Sequence, residues 1–289
     1  MKFALIGGDA RMGWLAALLA EEGHGVRCFA LEKAALPRPI PQCGSPEGCV
    51  YGADWVVLGV PAERGGLLLT PLSVQTLRTQ ELLAALWPGQ TLCGGLFDQV
   101  TSLAAVWAGL TVCDLMARRD FTVGNAALTA EGAIGLLIRE SAHSLWRSRV
   151  LVTGWGRIAS LLAPRLRALG AEVTVAARKA GDRAAAEAMG LHACRFAELP
   201  ALAGDFDYLV NTVPAEVLPE PVLRRVRPDA LLLELASAPG FDRDKAGELG
   251  LKTLTAPGLP GKTAPCAAAA LMRDTIRTVI REREENDGT

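Results

Sequence analysis

One glycine turn constrains the fold of this chain more than any other feature. Residues 149–178 read as a strand, a glycine-rich turn, a helix and a second strand, the order of a β-α-β unit. The turn fits G-x-G-x-x-[G/A], in which the glycines allow a tight turn and close approach of a pyrophosphate, and the small third residue lets the helix pack on the strand. An ordinary α/β turn is the alternative. The pattern predicts a dinucleotide site at Gly154, Trp155, Gly156, Arg157 and Ile158.

The residues that end the second strand favour one cofactor over another. A site for NAD usually has Asp or Glu about 20 residues beyond the first glycine, where the carboxylate binds the ribose 2′-OH. This chain has Arg178 and Lys179 there instead. Because a pair of cations suits an anion, the expected ligand is NADP, bound through its 2′-phosphate. A solvated basic strand end is the alternative.

Length and composition exclude several classes of protein. The 289 residues suit two domains of ordinary size. Lys plus Arg number 30 and Asp plus Glu number 31, so the net charge does not point to nucleic acid or to an anionic membrane. No apolar run approaches the roughly 20 residues that a membrane span needs. Seven cysteines without a C-x-x-C pair indicate a reduced, cytoplasmic protein, and three isolated histidines argue against a metal site.

The first 124 residues predict a smaller α/β domain. Strands over 3–6 and 25–29 flank a helix, a loop rich in Pro and Gly covers 36–48, and three more short strands follow. The first turn departs from the nucleotide pattern, because Asp9 stands where the second glycine belongs and would repel pyrophosphate. Asp9 is therefore the N-cap of the helix, or it faces a ligand crevice together with Arg11, at the carboxyl edge of the sheet; both can hold.

Polar residues interrupt the apolar stretch that joins the two halves. Asn125, Thr129 and Glu131 lie ahead of a helix that is predicted to run to about residue 144. Small-molecule sites are common where domains meet, so these three side chains are predicted to face the substrate. Ordinary helix capping, with Thr129 as the cap, is the alternative.

The remaining chain predicts the rest of a dinucleotide-binding domain. Strands over 208–210 and 231–235 end in turns that are placed to cover the nicotinamide half, through Thr212, Val213, Pro214 and Ser237. A rigid loop over 256–262 and a helix over 264–283 follow. The expected fold is α/β, with two Rossmann-like doubly wound domains. Residues 1–124 form the substrate-side domain, and residues 125–289 hold the connecting helix, the dinucleotide site and the C-terminal helix.

A set of motifs resembles one known family over nearly the whole chain. They are G-G-D-x-R, N-A-x-x-T-A-E-G-A-I, G-x-G-R-I-A, N-T-V-P-A, L-A-S-x-P-G and A-P-G-L-P-G-K-x-A-P. Together they are similar to the A subunits of dipicolinate synthase from spore-forming bacteria, although Leu128 and Phe241 stand where that family would have Pro and Gly. The resemblance implies a two-domain build like that of 2-hydroxyacid dehydrogenases. It also implies an NADP-linked oxidation of a dihydrodipicolinate-type precursor to pyridine-2,6-dicarboxylate, and a partner, the flavoprotein-like B subunit of dipicolinate synthase.

Such a reaction needs cations for two carboxylates and a proton acceptor. Arg forks suit carboxylates, so Arg11, Arg118 and Arg119 are candidate substrate ligands, together with Thr129. The candidate catalytic residues are Glu131 and Asp9, either of which could accept the proton, and Asn125. The sequence does not choose between the two carboxylates, and Arg118 and Arg119 could equally be a solvated pair.

Two other functions stay open. Another two-domain NADP-dependent oxidoreductase, acting on a 2-hydroxy acid, would need a His–carboxylate pair with an Arg, and three isolated histidines make that pair hard to assemble. A non-catalytic NADP-sensing module would need no polar group where the domains join. The expected partners are a dicarboxylate substrate and the flavoprotein-like protein, with self-association into a homo-oligomer also considered.

Overall fold

The computed structural model describes residues 1–287 and divides into two compact units. One unit combines Met1–Asn125 with the chain from Pro260 onward, and the other is Ala126–Leu259. The prediction that the C-terminal helix belongs to the second domain is therefore wrong. The helix α12 (Pro265–Asp287) packs on α1 (Ala10–Glu21), and its Ala269, Met272 and Ile276 belong to the same buried cluster as Met12 and Leu15.

The first unit is built on a five-stranded parallel sheet in the order β2-β1-β3-β6-β7. Its strands are short and mostly buried, as in sheets that helices cover on both faces. They are β1 (Lys2–Ile6), β2 (Gly25–Phe29), β3 (Trp55–Leu58), β6 (Thr91–Gly94) and β7 (Thr111–Asp114). A separate antiparallel hairpin joins β4 (Glu63–Arg64) to β5 (Leu67–Leu68).

Three shorter helices accompany α1 and α12 in this unit. They are α2 (Pro46–Val50), α3 (Thr79–Ala84) and α4 (Gln99–Trp107). The predicted loop over 36–48 runs into α2, because Ser45 accepts a hydrogen bond from Gly48 N and Pro46 begins the helix. The helix α4 was not predicted.

The second unit is built on a six-stranded parallel sheet in the order β10-β9-β8-β11-β12-β13. This is the doubly wound Rossmann order. The strands are β8 (Arg149–Thr153), β9 (Glu172–Ala176), β10 (His192–Cys194), β11 (Tyr208–Asn211), β12 (Leu231–Glu234) and β13 (Lys252–Thr255). The predicted α/β class with two Rossmann-like domains is confirmed.

The helices of the second unit cover both faces of its sheet. They are α6 (Arg157–Ala168), α7 (Ala180–Ala188), α8 (Leu199–Leu202), α9 (Glu220–Leu223) and α10 (Arg243–Glu248). The expected rigid loop over 256–262 is partly helical, because α11 (Leu259–Thr263) begins within it.

The helix α5 (Arg119–Glu140) begins eleven residues earlier than the capping alternative requires, because a cap at Thr129 would start the helix at residue 130. Thr129 therefore lies inside α5 and is not its N-cap. By length and composition alone α5 could cross a membrane. Its Ala130, Ala133 and Leu137 are instead fully buried in the core of the second unit, as expected for the core helix of an α/β protein.

An ion-pair group at the start of α5 predicts a pH dependence of stability. The Arg118 guanidinium donates to Asp120 and to both carboxylate oxygens of Glu282, and these hydrogen bonds hold the pKa of each carboxyl below its ordinary value. Carboxylates with a depressed folded-state pKa stabilise the fold above their unfolded pKa. That stability is lost as the pH falls through the folded value, below about pH 4.5.

We therefore expect Arg118→Met to flatten the acid limb of the unfolding free energy, measured by urea denaturation at several pH values. The change should be small, because these side chains are partly exposed. Arg119→Met is the control, since no ion pair of Arg119 occurs within residues 1–287. Identical acid limbs in wild type and Arg118→Met would contradict the prediction.

Candidate functional site

The glycine turn after β8 has the geometry that its motif predicts. Gly154 has φ +84°, and a Cβ there would lie 2.8 Å from Val213 Cγ2, so only glycine fits. Gly156 is exposed, and a Cβ there would meet nothing within 4 Å. Ala159 is fully buried against the core. The turn is tight at its first glycine and open to a ligand at its second.

The start of α6 suits a phosphate group. Gly156 is the N-cap and offers no side chain to the first-turn N–H groups. These groups, at the positive end of a 12-residue helix, are the usual receptors for a pyrophosphate. Trp155 and Ile158 pack partly on the core, and Arg157 is exposed. The residues present therefore fit a dinucleotide.

We expect Gly156→Val to separate folding from dinucleotide binding. Gly156 has φ −82° and ψ −172°, an extended conformation that valine adopts readily. The variant should keep its melting temperature and bind the dinucleotide at least ~10-fold more weakly, because the side chain occupies the pyrophosphate position. Calorimetric titration measures the affinity, and Gly247→Val, on the distant helix α10, is the control. Unchanged affinity would show that the turn is an ordinary α/β turn.

A buried polar network links the carboxyl ends of three adjacent strands. Thr153 ends β8, Asn211 ends β11 and Glu234 ends β12, and all three are almost completely buried. Thr153 Oγ1 donates to Asn211 Oδ1 at 2.5 Å, and Asn211 Nδ2 donates to Glu234 Oε1 at 2.7 Å. We call these three residues the strand-end network.

The strand-end network fixes the two loops that follow β11 and β12. Asn211 donates to the carbonyl of Val213 and accepts from its N–H, at 2.9 and 3.1 Å. Glu234 accepts from the N–H groups of Ala236 and Gly240, at 2.8 and 2.7 Å. The loops carry Thr212, Val213, Pro214 and Ser237, which were predicted to lie along the cofactor. Both loops are therefore held by buried residues of the protein itself.

These three residues were not predicted as a group. The available signal was a polar residue at the end of each otherwise apolar strand: R-V-L-V-T, Y-L-V-N and L-L-L-E. Chain positions 153, 211 and 234 become neighbours only through the strand order β8-β11-β12.

The packing of Gly240 against the network predicts a stability change. A Cβ on Gly240 would lie 2.1 Å from Asn211 Nδ2, so Gly240→Ala must push the network apart. We expect a loss of ~1–3 kcal/mol in the free energy of unfolding, measured by urea denaturation. Gly247→Ala is the matched control: it lies in α10 with nothing within 4 Å of its Cβ, and should be neutral or stabilising. Equal effects of the two changes would contradict this account.

Three cations lie where the ribose end of a dinucleotide is expected. Arg178 and Lys179 follow β9 after one intervening residue, and both are exposed. Arg183, in the first turns of α7, donates to the carbonyls of Ala177 and Arg178, both at 2.9 Å. Arg183 was not predicted, because only the helical geometry of α7 brings its side chain back to the end of β9.

In the first unit, Asp9 and Arg11 form a nearly closed pair. Arg11 Nε and Nη2 donate to the two oxygens of Asp9, both at 2.8 Å, and Nη2 also donates to the carbonyl of Val60. Asp9 is the N-cap of α1, as one of the two interpretations predicted. Its oxygens are both occupied by Arg11, which argues against its predicted role as proton acceptor. A Cβ on Gly261 would lie 2.3 Å from Asp9 Oδ2, so α11 closes over the pair.

One nitrogen of Arg11 still reaches the surface. Arg11 is only 3% exposed. Its Nη1 has no hydrogen-bond partner within residues 1–287. Every buried side-chain nitrogen or oxygen in that range does have a partner, so Nη1 is not buried. Arg11 can therefore offer a ligand only its Nη1 group, and not the two-nitrogen fork that was predicted.

The other predicted substrate residues occupy different environments. Arg118 is already paired with two carboxylates, which argues against the prediction that its fork binds substrate. Arg119 is exposed at the start of α5, and Glu131 is exposed midway along it. Asn125 is half-buried, and Thr129 is buried.

A His–carboxylate–Arg cluster does form in the second unit, contrary to the expectation that such a pair would be hard to assemble. His143 Nε2 lies 3.2 Å from Asp229 Oδ2, and Arg227 donates to the same carboxylate at 2.7 Å. The cluster lies at the amino edge of the sheet, because Asp229 precedes β12 and Tyr208, the first residue of β11, donates to the His143 carbonyl. The glycine turn lies at the opposite, carboxyl edge. The structure therefore does not bring this cluster to the dinucleotide turn.

Two family models together match most of the chain. Residues 2–116 match the N-terminal domain of the dipicolinate synthase A subunit, and residues 115–245 match the NAD-binding domain of D-isomer specific 2-hydroxyacid dehydrogenases. The A subunit of dipicolinate synthase from Bacillus subtilis (strain 168) is 30% identical over 293 residues, covering 100% of this chain and 98% of the relative. The chain belongs to the family of dipicolinate synthase A subunits.

Solved structures agree with this family. The A chain of dipicolinate synthase from Bacillus subtilis has a TM-score of 0.84 at 30% identity, covering 99% of this chain and 97% of the other. The dipicolinate synthase A subunit from Bacillus halodurans has a TM-score of 0.84 at 25% identity, over 96% and 97%. The D-lactate dehydrogenase of Escherichia coli, at 15% identity and a TM-score of 0.63, shares the fold.

These matches establish the general kind of activity. The second unit holds most of the part of the chain that matches an NAD-binding dehydrogenase domain. A nicotinamide dinucleotide is therefore the cofactor, and this member of the family is a dehydrogenase-type oxidoreductase.

Proposed function

We propose that this chain catalyses the NADP-linked oxidation of a dihydrodipicolinate-type precursor to pyridine-2,6-dicarboxylate. The observation that carries the proposal is the full-length likeness to the dipicolinate synthase A subunit. The reaction removes a hydride from one ring carbon and a proton from the ring, which becomes aromatic. NADP, when bound, supplies the hydride acceptor.

The second unit supplies the residues that would hold the dinucleotide. The N–H groups that follow Gly156 would bind the pyrophosphate. Arg178, Lys179 and Arg183 would surround the 2′-phosphate with three positive charges. The loops tied to the strand-end network would lie along the nicotinamide half, which leaves their conformation set before the ligand arrives.

Substrate recognition is assigned to cations and polar groups ahead of the glycine turn. Arg11 Nη1 would donate to one carboxylate of the substrate, and the neighbouring Asp9 would hold the guanidinium in place. Arg119, Asn125 and Thr129 are the remaining candidates for the substrate. Glu131 would accept the ring proton, since its carboxylate has no ion pair in the part of the chain that the structure describes.

The test follows the absorbance of reduced nicotinamide after mixing the protein, NADP and freshly generated hydroxytetrahydrodipicolinate, which loses one water to give the dihydro precursor. We expect NADPH and dipicolinate to form in equal amounts. Glu131→Gln should lower turnover by ~10²–10⁴-fold while NADP still binds. The proposal fails if no NADPH forms with this substrate, either alone or with the partner protein, although NADP binds.

The relative is named as the A subunit of a synthase, and this name supports the presence of a second polypeptide in that enzyme. We propose that this partner is the B subunit of dipicolinate synthase, a flavoprotein-like protein, and that both work in the cytoplasm during sporulation. Repeating the assay with and without the partner distinguishes a complete enzyme from one that needs a second polypeptide. Activity in neither case, with tight NADP binding, would favour an NADP-sensing module.

Cofactor choice gives a separate prediction. Arg178 lies 24 positions beyond Gly154, 178 − 154, where the residue that contacts the ribose is expected. A charged hydrogen bond contributes ~1.5–3 kcal/mol, so Arg178→Ala should weaken NADP by roughly 10–100-fold and leave NAD nearly unchanged. The double change with Lys179→Ala is the cleaner variant. Calorimetric titrations with both dinucleotides give the ratio, and equal losses for both would reduce Arg178 to a structural role.

A further inference from the structure

The helix α4 of the first unit carries an apolar stripe that faces solvent. Val100, Leu103 and Trp107 are 71%, 49% and 86% exposed. Their spacing of three and four residues places them on one face of α4, with exposed Val106 beside them. The opposite face, with Thr101 and Ala105, is buried against the sheet. We call these four exposed residues the α4 stripe.

The α4 stripe is large enough to suggest a binding role. At these exposed fractions it presents on the order of a few hundred Å² of apolar surface, a size at which patches on soluble proteins are often functional. The helix Gln99–Trp107 also contains no charged residue. The centres of homodimer interfaces are depleted of charge in the same way.

A cavity of about 390 Å³ opens beside the amino end of the same helix. Its walls include Val100 and Ala104 of α4, with Leu67 and Leu83 across from them, so one side of the cavity is continuous with the α4 stripe. Asp98 and Arg78 also line it. An indole ring in this cavity would pack on the apolar walls. Its N–H could donate to the Asp98 carboxylate, and the Arg78 guanidinium could stack on its face.

The stripe and the cavity are related in a way that fits a second copy of the chain. Trp107 lies seven residues beyond Val100, which is about 10 Å along the helix. If two α4 helices pack antiparallel about a two-fold axis near Leu103, each Trp107 lies over the Val100 end of the other. Helices in contact lie about 8–10 Å apart, within reach of an indole. The same patch thus supplies both knob and hole, as an isologous interface requires.

We propose that two copies of this chain associate through the α4 stripe, with Trp107 of each copy inserted into the cavity of the other. A stable interface buries about 800 Å² on each partner, so the stripe would be its apolar centre. This inference does not depend on the proposed reaction, because it rests only on residues of the first unit.

The first test is sedimentation of the full-length chain over a concentration series. Wild type should dimerise, and Trp107→Ala should raise the dissociation constant by at least ~30-fold, as for the loss of an interface anchor. Trp146→Ala is the control, since Trp146 is 62% exposed but lies in the second unit. Trp107 is so exposed that its removal should leave the melting temperature unchanged, which separates dissociation from unfolding.

A second test asks whether Leu103 lies near the axis. In a background of Cys266→Ser, which removes the exposed native thiol, Leu103→Cys should form covalent dimers with a short bismaleimide, each thiol adding across one maleimide. Leu169→Cys, at 46% exposure in the second unit, should not. A monomeric wild type would overturn the proposal, and so would a dimer that is indifferent to Trp107. Trp107-dependent binding of the flavoprotein-like partner by a monomeric chain would assign the stripe to that partner and also overturn it.

Discussion

The hydrogen bond between Asn211 and Glu234 is the interaction on which the rest of the candidate site depends. It is buried, and an unsatisfied polar group there would cost about 1–3 kcal/mol. The two side chains also hold the loops that follow. Glu234 accepts hydrogen bonds from two backbone N–H groups, and Asn211 hydrogen-bonds both the N–H and the carbonyl of Val213. The loops around the glycine turn thus inherit the rigidity of the sheet, and a dinucleotide would meet a formed site.

The turns after β1 and β8 are similar in sequence but differ in what they place at the start of the following helix. After β8, Gly156 leaves the start of α6 without a side-chain cap, so its N–H groups are available to a phosphate. After β1, Asp9 caps α1 and holds a buried guanidinium. A carboxylate at that position repels pyrophosphate, while Nη1 of the paired Arg11 remains accessible. The turn that leaves its helix start open to a phosphate is therefore the one in the second unit.

Much of the fold could be predicted because buried parallel strands are short apolar runs, and these runs stand out between glycine turns. The helix α4 was missed because Val100, Leu103 and Trp107 are apolar on its solvent side, which hides the helical periodicity that reveals a buried face. The pairing of Arg118 with Glu282 and the strand-end network escaped prediction for another reason. Each joins residues distant along the chain, and only the assembled sheet and helices make them neighbours.

Amide hydrogen exchange on the ligand-free protein shows whether the loops after β11 and β12 are held in place before any cofactor binds. The amides to follow are those of Ala236 and Gly240, which donate to the buried Glu234. We expect both amides, without added dinucleotide, to exchange about as slowly as the amides of β12. Exchange at the rate of an unstructured peptide, slowed only when NADP is added, would contradict it.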